Sequence, residues 1–155
     1  TAIPRKSPRY FIKRFLDHSF YDYRVHRLEA SGCGPALIAT RVAEHAGSRV
    51  LRIVDFLGDV GALAAAGGAL LELLRSTEAE HVDFYQFGLP EEELARAGFG
   101  PVDKNGSVFV PTYFEPYATR AGDILFAVKS KQRGPVVICR ADGDQDRPNQ
   151  VPVAS

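Results

Sequence analysis

The fold is decided by residues 49–57, RVLRIVDFL, and by residues 60–76, VGALAAAGGALLELLRS, which follow after a two-residue break at Gly58-Asp59. The first stretch alternates two apolar sets, which are Val50, Val54 and Phe56 on one side and Leu51, Ile53 and Leu57 on the other. Apolar residues on both faces predict a central strand that is covered on both sides. The second stretch predicts one helix over Val60–Ser76, capped by Asp59, with a buried stripe of leucines at 63, 70, 71 and 74.

Outward from this unit, the patterns predict further helices and strands in both directions. A helix begins at Ser7-Pro8 and ends near His18–Phe20, with Phe11, Phe15, Ile12 and Leu16 as one apolar stripe. A short helix, Pro90–Ala97, is closed by Gly98. The other predicted strands are Tyr21–Glu29, Ala36–Val42, His81–Phe87, Val108–Val110, Ile124–Lys129 and Val136–Arg140. This order predicts an α/β (α+β) domain with a mixed, mostly antiparallel central sheet flanked by helices.

The composition limits the partners and the cellular compartment that we expect for this chain. Nineteen basic residues balance nineteen acidic ones among 155, so we expect neither a nucleic-acid nor a membrane partner. The longest apolar stretch, Gly61–Leu71, is too short to span a bilayer. Two distant cysteines, Cys33 and Cys139, could form one disulfide, but the pattern favours two free thiols in a reducing, cytoplasmic compartment.

The ends of the chain suggest a domain taken from a longer protein. There is no methionine, and the chain starts at Thr1, so we expect a truncated N-terminal part. We predict one domain over residues 1–141 and a polar, extended tail over 142–155.

The element order resembles the core of the GNAT acyltransferase superfamily over roughly residues 21–129. The matching pieces are the strand pair Ala36–Leu57, the loop Gly58–Gly61, the helix to Ser76, the strand His81–Phe87 and the short helix that ends at Gly98-Phe99. The phrase RIVDFLG at 52–58 and the tail DGDQDRPN at 142–149 look like GNAT-like proteins associated with bacterial surface-sugar genes.

This resemblance implies an acyltransferase that uses acetyl- or acyl-coenzyme A as a co-substrate rather than as a permanently bound cofactor. The acceptor would be the amine of a small molecule, such as an amino sugar. The strand end Phe56-Leu57-Gly58 would bind pantetheine through its backbone. Gly61, Ala62, Ala65 and Gly67 would approach the pyrophosphate at the start of the helix.

Two departures from the family pattern favour another function. The basic residue expected near the pyrophosphate loop is absent, and Leu94 stands where the family places a catalytic tyrosine. The alternative is therefore a GNAT-like binding or scaffold domain that has lost coenzyme A. A third hypothesis is a homodimer, or contact with another domain of the parent protein, that completes the site.

Three residues are candidates for the chemistry of N-acyl transfer, which needs a base for the amine and an acid for the thiolate. Asp55 is a lone carboxylate in an apolar strand and is the candidate base. An ion pair with Arg52 or Arg49 would be a structural explanation for it. Tyr85 and Tyr113 are the candidate acids, and packing in an aromatic core is the alternative for both.

No metal site is predicted. The four histidines lack the spacing typical of zinc ligands, and no cysteine is close to any of them in sequence. The alternating Asp142, Asp144 and Asp146 lack the glycine and glutamate of a calcium loop. We expect them to form a solvated acidic loop closed by Arg147, or to capture a cationic or hydroxyl-rich acceptor.

Overall fold

A computed structural model describes residues 2–103, 125–131, 133–143 and 146. Two helical turns open the chain, α1 (Pro8–Phe11) and a π-helix (Ile12–Leu16). The described strands are β1 (Arg24–Leu28), β2 (Ala36–His45), β3 (Ser48–Gly58), β4 (His81–Phe84), β5 (Gln86–Phe87) and β6 (Ile138–Cys139). The remaining helices are α2 (Val60–Ala64), α3 (Gly67–Ser76), α4 (Glu91–Arg96) and a 3₁₀ turn (Arg140–Gly143).

Four strands form the main sheet in the order β1-β2-β3-β4. β1 and β2 are antiparallel, as are β2 and β3, whereas β3 and β4 are parallel and joined through α2 and α3. β5 and β6 form a separate antiparallel pair. The predicted α+β class, with a mixed and mostly antiparallel sheet, is confirmed.

A β-bulge in β3 changes which residues share a face. Ala39 lies opposite Asp55 and Thr40 lies opposite Ile53, so Val54 is an extra residue without a partner on β2. After a bulge the alternation of side chains shifts by one position. Ile53 and Phe56 therefore pack in one core cluster and Val54 in the other. The prediction that Val54 and Phe56 share a face is wrong, although the strand is covered on both sides as predicted.

The N-terminal helix packs on one face of the sheet, and only half of its predicted apolar stripe is buried there. Ser7 caps it, because its hydroxyl accepts a hydrogen bond from the Tyr10 amide. Phe11 and Phe15 are buried, whereas Ile12 and Leu16 are exposed. The two pairs lie about 100° apart around the axis, so only one of them can face the core.

The helix predicted over Val60–Ser76 is broken in two. α2 ends at Ala64, and α3 begins at Gly67, packed so closely on the neighbouring turn that a Cβ there would lie 3.0 Å from the Ala97 carbonyl oxygen. Leu63 and Leu70 are buried as predicted, but Leu71 is exposed. The predicted single helix is therefore two short helices, and its leucine stripe is only partly buried.

Two predicted strands differ from the structure. The stretch His81–Phe87 is divided between two sheets, with Tyr85 at the division. Residues 125–129 of the predicted strand Ile124–Lys129 have no regular secondary structure, and Leu125 is 90% exposed. The predicted strand Val108–Val110 lies outside the described residues.

The start of the predicted tail is folded against the sheet rather than solvated. Asp142 belongs to the 3₁₀ turn, and Asp146 is buried against Arg41 and Tyr23. Asp144 and Arg147 lie outside the described residues. The expectation of a solvated acidic loop is therefore wrong for Asp142 and Asp146, which satisfy buried cations instead.

Among the described residues, the helices are too short to cross a lipid bilayer.

Candidate functional site

The parallel strands β3 and β4 separate at the centre of the domain. They pair only from Val50–His81 to Ile53–Phe84, although β3 continues to Gly58 beside β2. Beyond Phe84 the chain turns away, and Gln86 pairs with β6. Within the described residues, no strand pairs with the side of β3 that β4 leaves, so the sheet opens into a fork.

A cavity of about 550 Å³, here called the fork cavity, lies beside the end of β3, where β3 continues beyond its pairing with β4. Its lining is mostly apolar and comes from the N-terminal segment, the end of β3, the turn after β5 and the segment before β6. The lining residues are Ala2, Pro4, Lys6, Phe56, Leu57, Gly58, Val60, Gly88, Leu89, Pro90, Pro135 and Val137. Within this lining Lys6 is the one charged residue, so the cavity is an apolar slot with a lysine side chain in its wall.

Lys6 joins two carboxylates from distant parts of the chain. Its Nζ donates to Asp55 Oδ1 from β3 and, at 2.7 Å, to Asp142 Oδ2 from the 3₁₀ turn. The Lys6 side chain is 5% exposed and that of Asp55 is fully buried. Backbone amides fix the acceptors, since the Phe56 N–H donates to Asp55 Oδ1 and the Cys139 N–H to Asp142 Oδ2, both at 2.8 Å.

Burial controls the electrostatics of this cluster. It raises the pKa of Asp55, against the opposing attraction of Lys6. Burial alone would lower the pKa of Lys6, but Cys139 and Asp55 leave it raised. Burial also raises the pKa of the Cys139 thiol to about 12. At neutral pH the cluster therefore contains a charged ammonium and a neutral thiol beside the two carboxyl groups.

The residues predicted for catalysis are not gathered in one place. Asp55 belongs to the Lys6 cluster, behind the cavity wall, and its partner is neither Arg52 nor Arg49. Tyr85 instead stacks on Arg140, with the guanidinium carbon 4.1 Å from the ring centre. Tyr113 lies outside the described residues.

A second buried ionic group lies beside Tyr85. Arg52 Nε donates to Asp83 Oδ2 at 3.0 Å, and Arg140 reaches the same oxygen at 3.4 Å. Arg49, which was the other structural partner considered for Asp55, pairs with Glu44 and Glu78 at the surface.

The residues predicted for coenzyme A also divide into two groups. Phe56, Leu57 and Gly58 line the fork cavity. The other four, Gly61, Ala62, Ala65 and Gly67, are absent from that lining. They belong to the α2–α3 unit, where Ala62 is buried in the core.

Asp59 binds one backbone amide at the start of α2 and another in the loop before β2. Its Oδ1 accepts from the Gly61 N–H at 2.9 Å and its Oδ2 from the Gly34 N–H at 2.8 Å. These two hydrogen bonds lower the pKa of Asp59. An ionised carboxylate therefore occupies the position where the resemblance would place a pyrophosphate.

Sequence reasoning missed Lys6 and Cys139 as site residues and placed Asp142 in solvent. Lys6 lies among ordinary basic residues near the N-terminus, and no local pattern distinguishes it from Arg5 or Arg9. Only the fold brings it to Asp55, because 49 positions separate the two residues.

Comparisons with protein-family models, with curated proteins and with solved structures find no match to this chain.

Proposed function

We propose that this domain is an acyl-coenzyme A-dependent N-acyltransferase that binds the acyl thioester in the β3–β4 fork. The observation that carries the proposal is the fork itself, with its 550 Å³ cavity at Phe56, Leu57 and Gly58. A strand edge that lacks a partner strand offers backbone donors and acceptors to an extended ligand, as in β-augmentation. The pantetheine arm has two amides on a flexible chain and fits such an edge.

The charged cluster supplies the polar chemistry of this proposal. The amine nitrogen of a small acceptor attacks the thioester carbonyl, an amide bond forms, and the carbon–sulfur bond breaks. The proton that the amine loses passes to Asp55 by way of Lys6, because Lys6 lines the cavity and bonds this buried carboxylate. The Lys6 side chain also stabilises negative charge on the carbonyl oxygen. The thiolate leaves with a proton from solvent, because Tyr85 stacks on Arg140 and does not line the cavity.

A second candidate is a binding or scaffold domain that does not use coenzyme A. Asp59 favours it, because its carboxylate takes the Gly61 amide and would repel a pyrophosphate at α2. The Lys6–Asp55 pair favours it as well, since a buried ion pair also serves as a purely structural contact.

Calorimetric titration separates these functions. The ligands are acetyl-coenzyme A and the acetyl thioester of N-acetylcysteamine, which keeps the thioester end but has no nucleotide. Val60→Trp fills the cavity and Val42→Trp adds the same bulk at an exposed site of β2. The acyltransferase proposal expects micromolar binding of acetyl-coenzyme A that Val60→Trp abolishes and Val42→Trp preserves.

Two other outcomes would overturn the proposal in part or in full. Binding of the short thioester alone would keep the fork as the acyl site but remove coenzyme A as the donor. No heat with either ligand at millimolar concentration, from protein with an intact circular dichroism spectrum, would make the binding-domain function the better conclusion.

A further inference from the structure

Three potential metal ligands converge beside the fork. They are the carboxylates of Asp55 and Asp142 and the thiol of Cys139, and one ligand atom from each lies within 4.8 Å of the other two. They come from β3, from β6 and from the 3₁₀ turn that follows β6. Their convergence therefore depends on the tertiary fold and not on a local sequence motif.

Lys6 leaves part of this ligand set unused. It hydrogen-bonds Oδ1 of Asp55 and Oδ2 of Asp142, and the Phe56 and Cys139 amides donate to the same two oxygens. The other oxygen of Asp55, Oδ2, is buried without a hydrogen-bond partner among the described residues. A buried carboxylate oxygen without a donor is costly, and a cation would remove that cost.

We propose that Asp55, Cys139 and Asp142 form a binding site for a divalent transition-metal ion, with Zn²⁺ as the best fit. A thiolate with two carboxylates selects Zn²⁺ or Co²⁺ over Mg²⁺ and Ca²⁺, which prefer ligand sets made of oxygen alone. Tetrahedral bonds of about 2.0–2.3 Å require ligand atoms roughly 3.3–3.5 Å apart. The three ligand atoms lie within 4.8 Å of one another, so they would have to approach by up to about 1.5 Å when the ion binds.

The charges balance when the ion is bound. Two carboxylates and one thiolate carry three negative charges, Lys6 carries one positive charge and the ion carries two. Cys139 gives up its proton to solvent as the metal–sulfur bond forms. Lys6 and the two amides then orient the ligands from outside, in the way that outer hydrogen-bond partners orient metal-binding carboxylates.

This site goes beyond the proposed acyl transfer and does not depend on it. If both hold, a bound ion occupies the Asp55 carboxylate and inhibits transfer, because that group can no longer accept a proton.

Cobalt titration of the whole 155-residue chain tests the site without any activity assay. We expect one Co²⁺ per chain, a sulfur-to-cobalt charge-transfer band in the near ultraviolet, and loss of that band on addition of Zn²⁺. Cys139→Ser should abolish the band and Asp55→Asn should weaken binding by more than about tenfold. Cys33→Ser is the matched control, because it removes the other cysteine and should leave the band unchanged.

The wild-type result decides the matter even if a variant fails to fold. Absence of the band at millimolar Co²⁺ in folded wild-type protein would overturn the proposal and leave Lys6 as the only cation of the cluster. A band that persists in Cys139→Ser or disappears in Cys33→Ser would also overturn it. Since no coenzyme A is present, this failure is distinct from failure of the acyltransferase proposal.

Discussion

Replacing Asp146 by asparagine tests whether the C-terminal segment is docked on the sheet. Asp146 is 2% exposed and Arg41 is 5% exposed. Arg41 donates to Asp146 through Nε at 2.9 Å and through Nη2 at 2.8 Å, and the Tyr23 hydroxyl also donates to this carboxylate. The substitution removes the negative charge from this carboxylate while the Arg41 guanidinium stays buried.

The expected loss of stability is large for a single amide substitution. Removal of one partner from a buried ion pair costs about 3–5 kcal/mol. Asparagine keeps the shape and one acceptor oxygen, so we expect the lower end, about 3 kcal/mol of unfolding free energy. At roughly 2–4 °C per kcal/mol for a chain of this size, the melting temperature should fall by about 6–12 °C.

Urea unfolding followed by circular dichroism measures this loss, and two further variants control it. Asp22→Asn makes the same chemical change at an exposed position nearby and should stay within about 0.5 kcal/mol of wild type. The double variant Asp146→Leu with Arg41→Met removes both charges and should recover part of the lost stability. If Asp146→Asn costs no more than Asp22→Asn, the segment is not docked in solution and the reasoning fails.

Three more predictions concern the backbone, the reactivity of the thiols and the loss of stability at low pH. Gly58→Ala should destabilise the domain by several kcal/mol in urea unfolding, because φ at Gly58 is +124° and a Cβ would lie 2.5 Å from the Pro35 carbonyl oxygen. Gly68→Ala is the control, since Gly68 lies in open space on α3, and it should stabilise the domain by about 0.5–1 kcal/mol. Ellman's reagent should titrate one thiol, Cys33, in the native protein and two in urea, because Cys139 is buried with a pKa of about 12; rapid reaction of both native thiols would contradict this burial. Because the pKa of Asp59 is lowered, its ionisation contributes stability that is complete above the unfolded pKa of 3.8 and is lost as the pH falls through the folded pKa. In Asp59→Asn the urea midpoint should therefore depend less steeply on pH. An unchanged slope would show that the hydrogen bonds of Asp59 do not persist in solution.

The sheet was predictable because its strands are marked by local patterns. Apolar alternation marks residues 36–42 and 49–57, and the Ala46-Gly47 turn places β2 beside β3. Gly98 closes α4 with a φ of +91°, as a glycine after a helix predicts. Each of these signals spans only a few residues, and so do the turns and helix ends that it predicts.

The candidate site was less predictable because its partners are distant in sequence. Asp55 was recognised as an unusual carboxylate in an apolar strand, but its cation, Lys6, has no local mark. The bulge at Val54 changes the orientation of the residues that follow, and no glycine or proline signals it. The polar sequence around Asp146 predicts a surface residue. In the structure Asp146 is buried, because it balances the charge of Arg41 in the middle of β2.

The contacts between the two ends of the described chain constrain the order in which the domain can be made. Ile3 hydrogen-bonds on either side of Val136, and the Lys6–Asp142 pair spans 136 positions. On the ribosome, β1, β2 and β3 can pair as soon as they emerge, because their contacts are local. Lys6 and Asp55 can meet early, but the charge cluster is complete only when residue 142 has emerged, and the Lys6–Asp142 pair closes a very long loop. Such closures slow folding, so a nascent chain that stalls before this residue presents an open sheet and an incomplete charge cluster to chaperones.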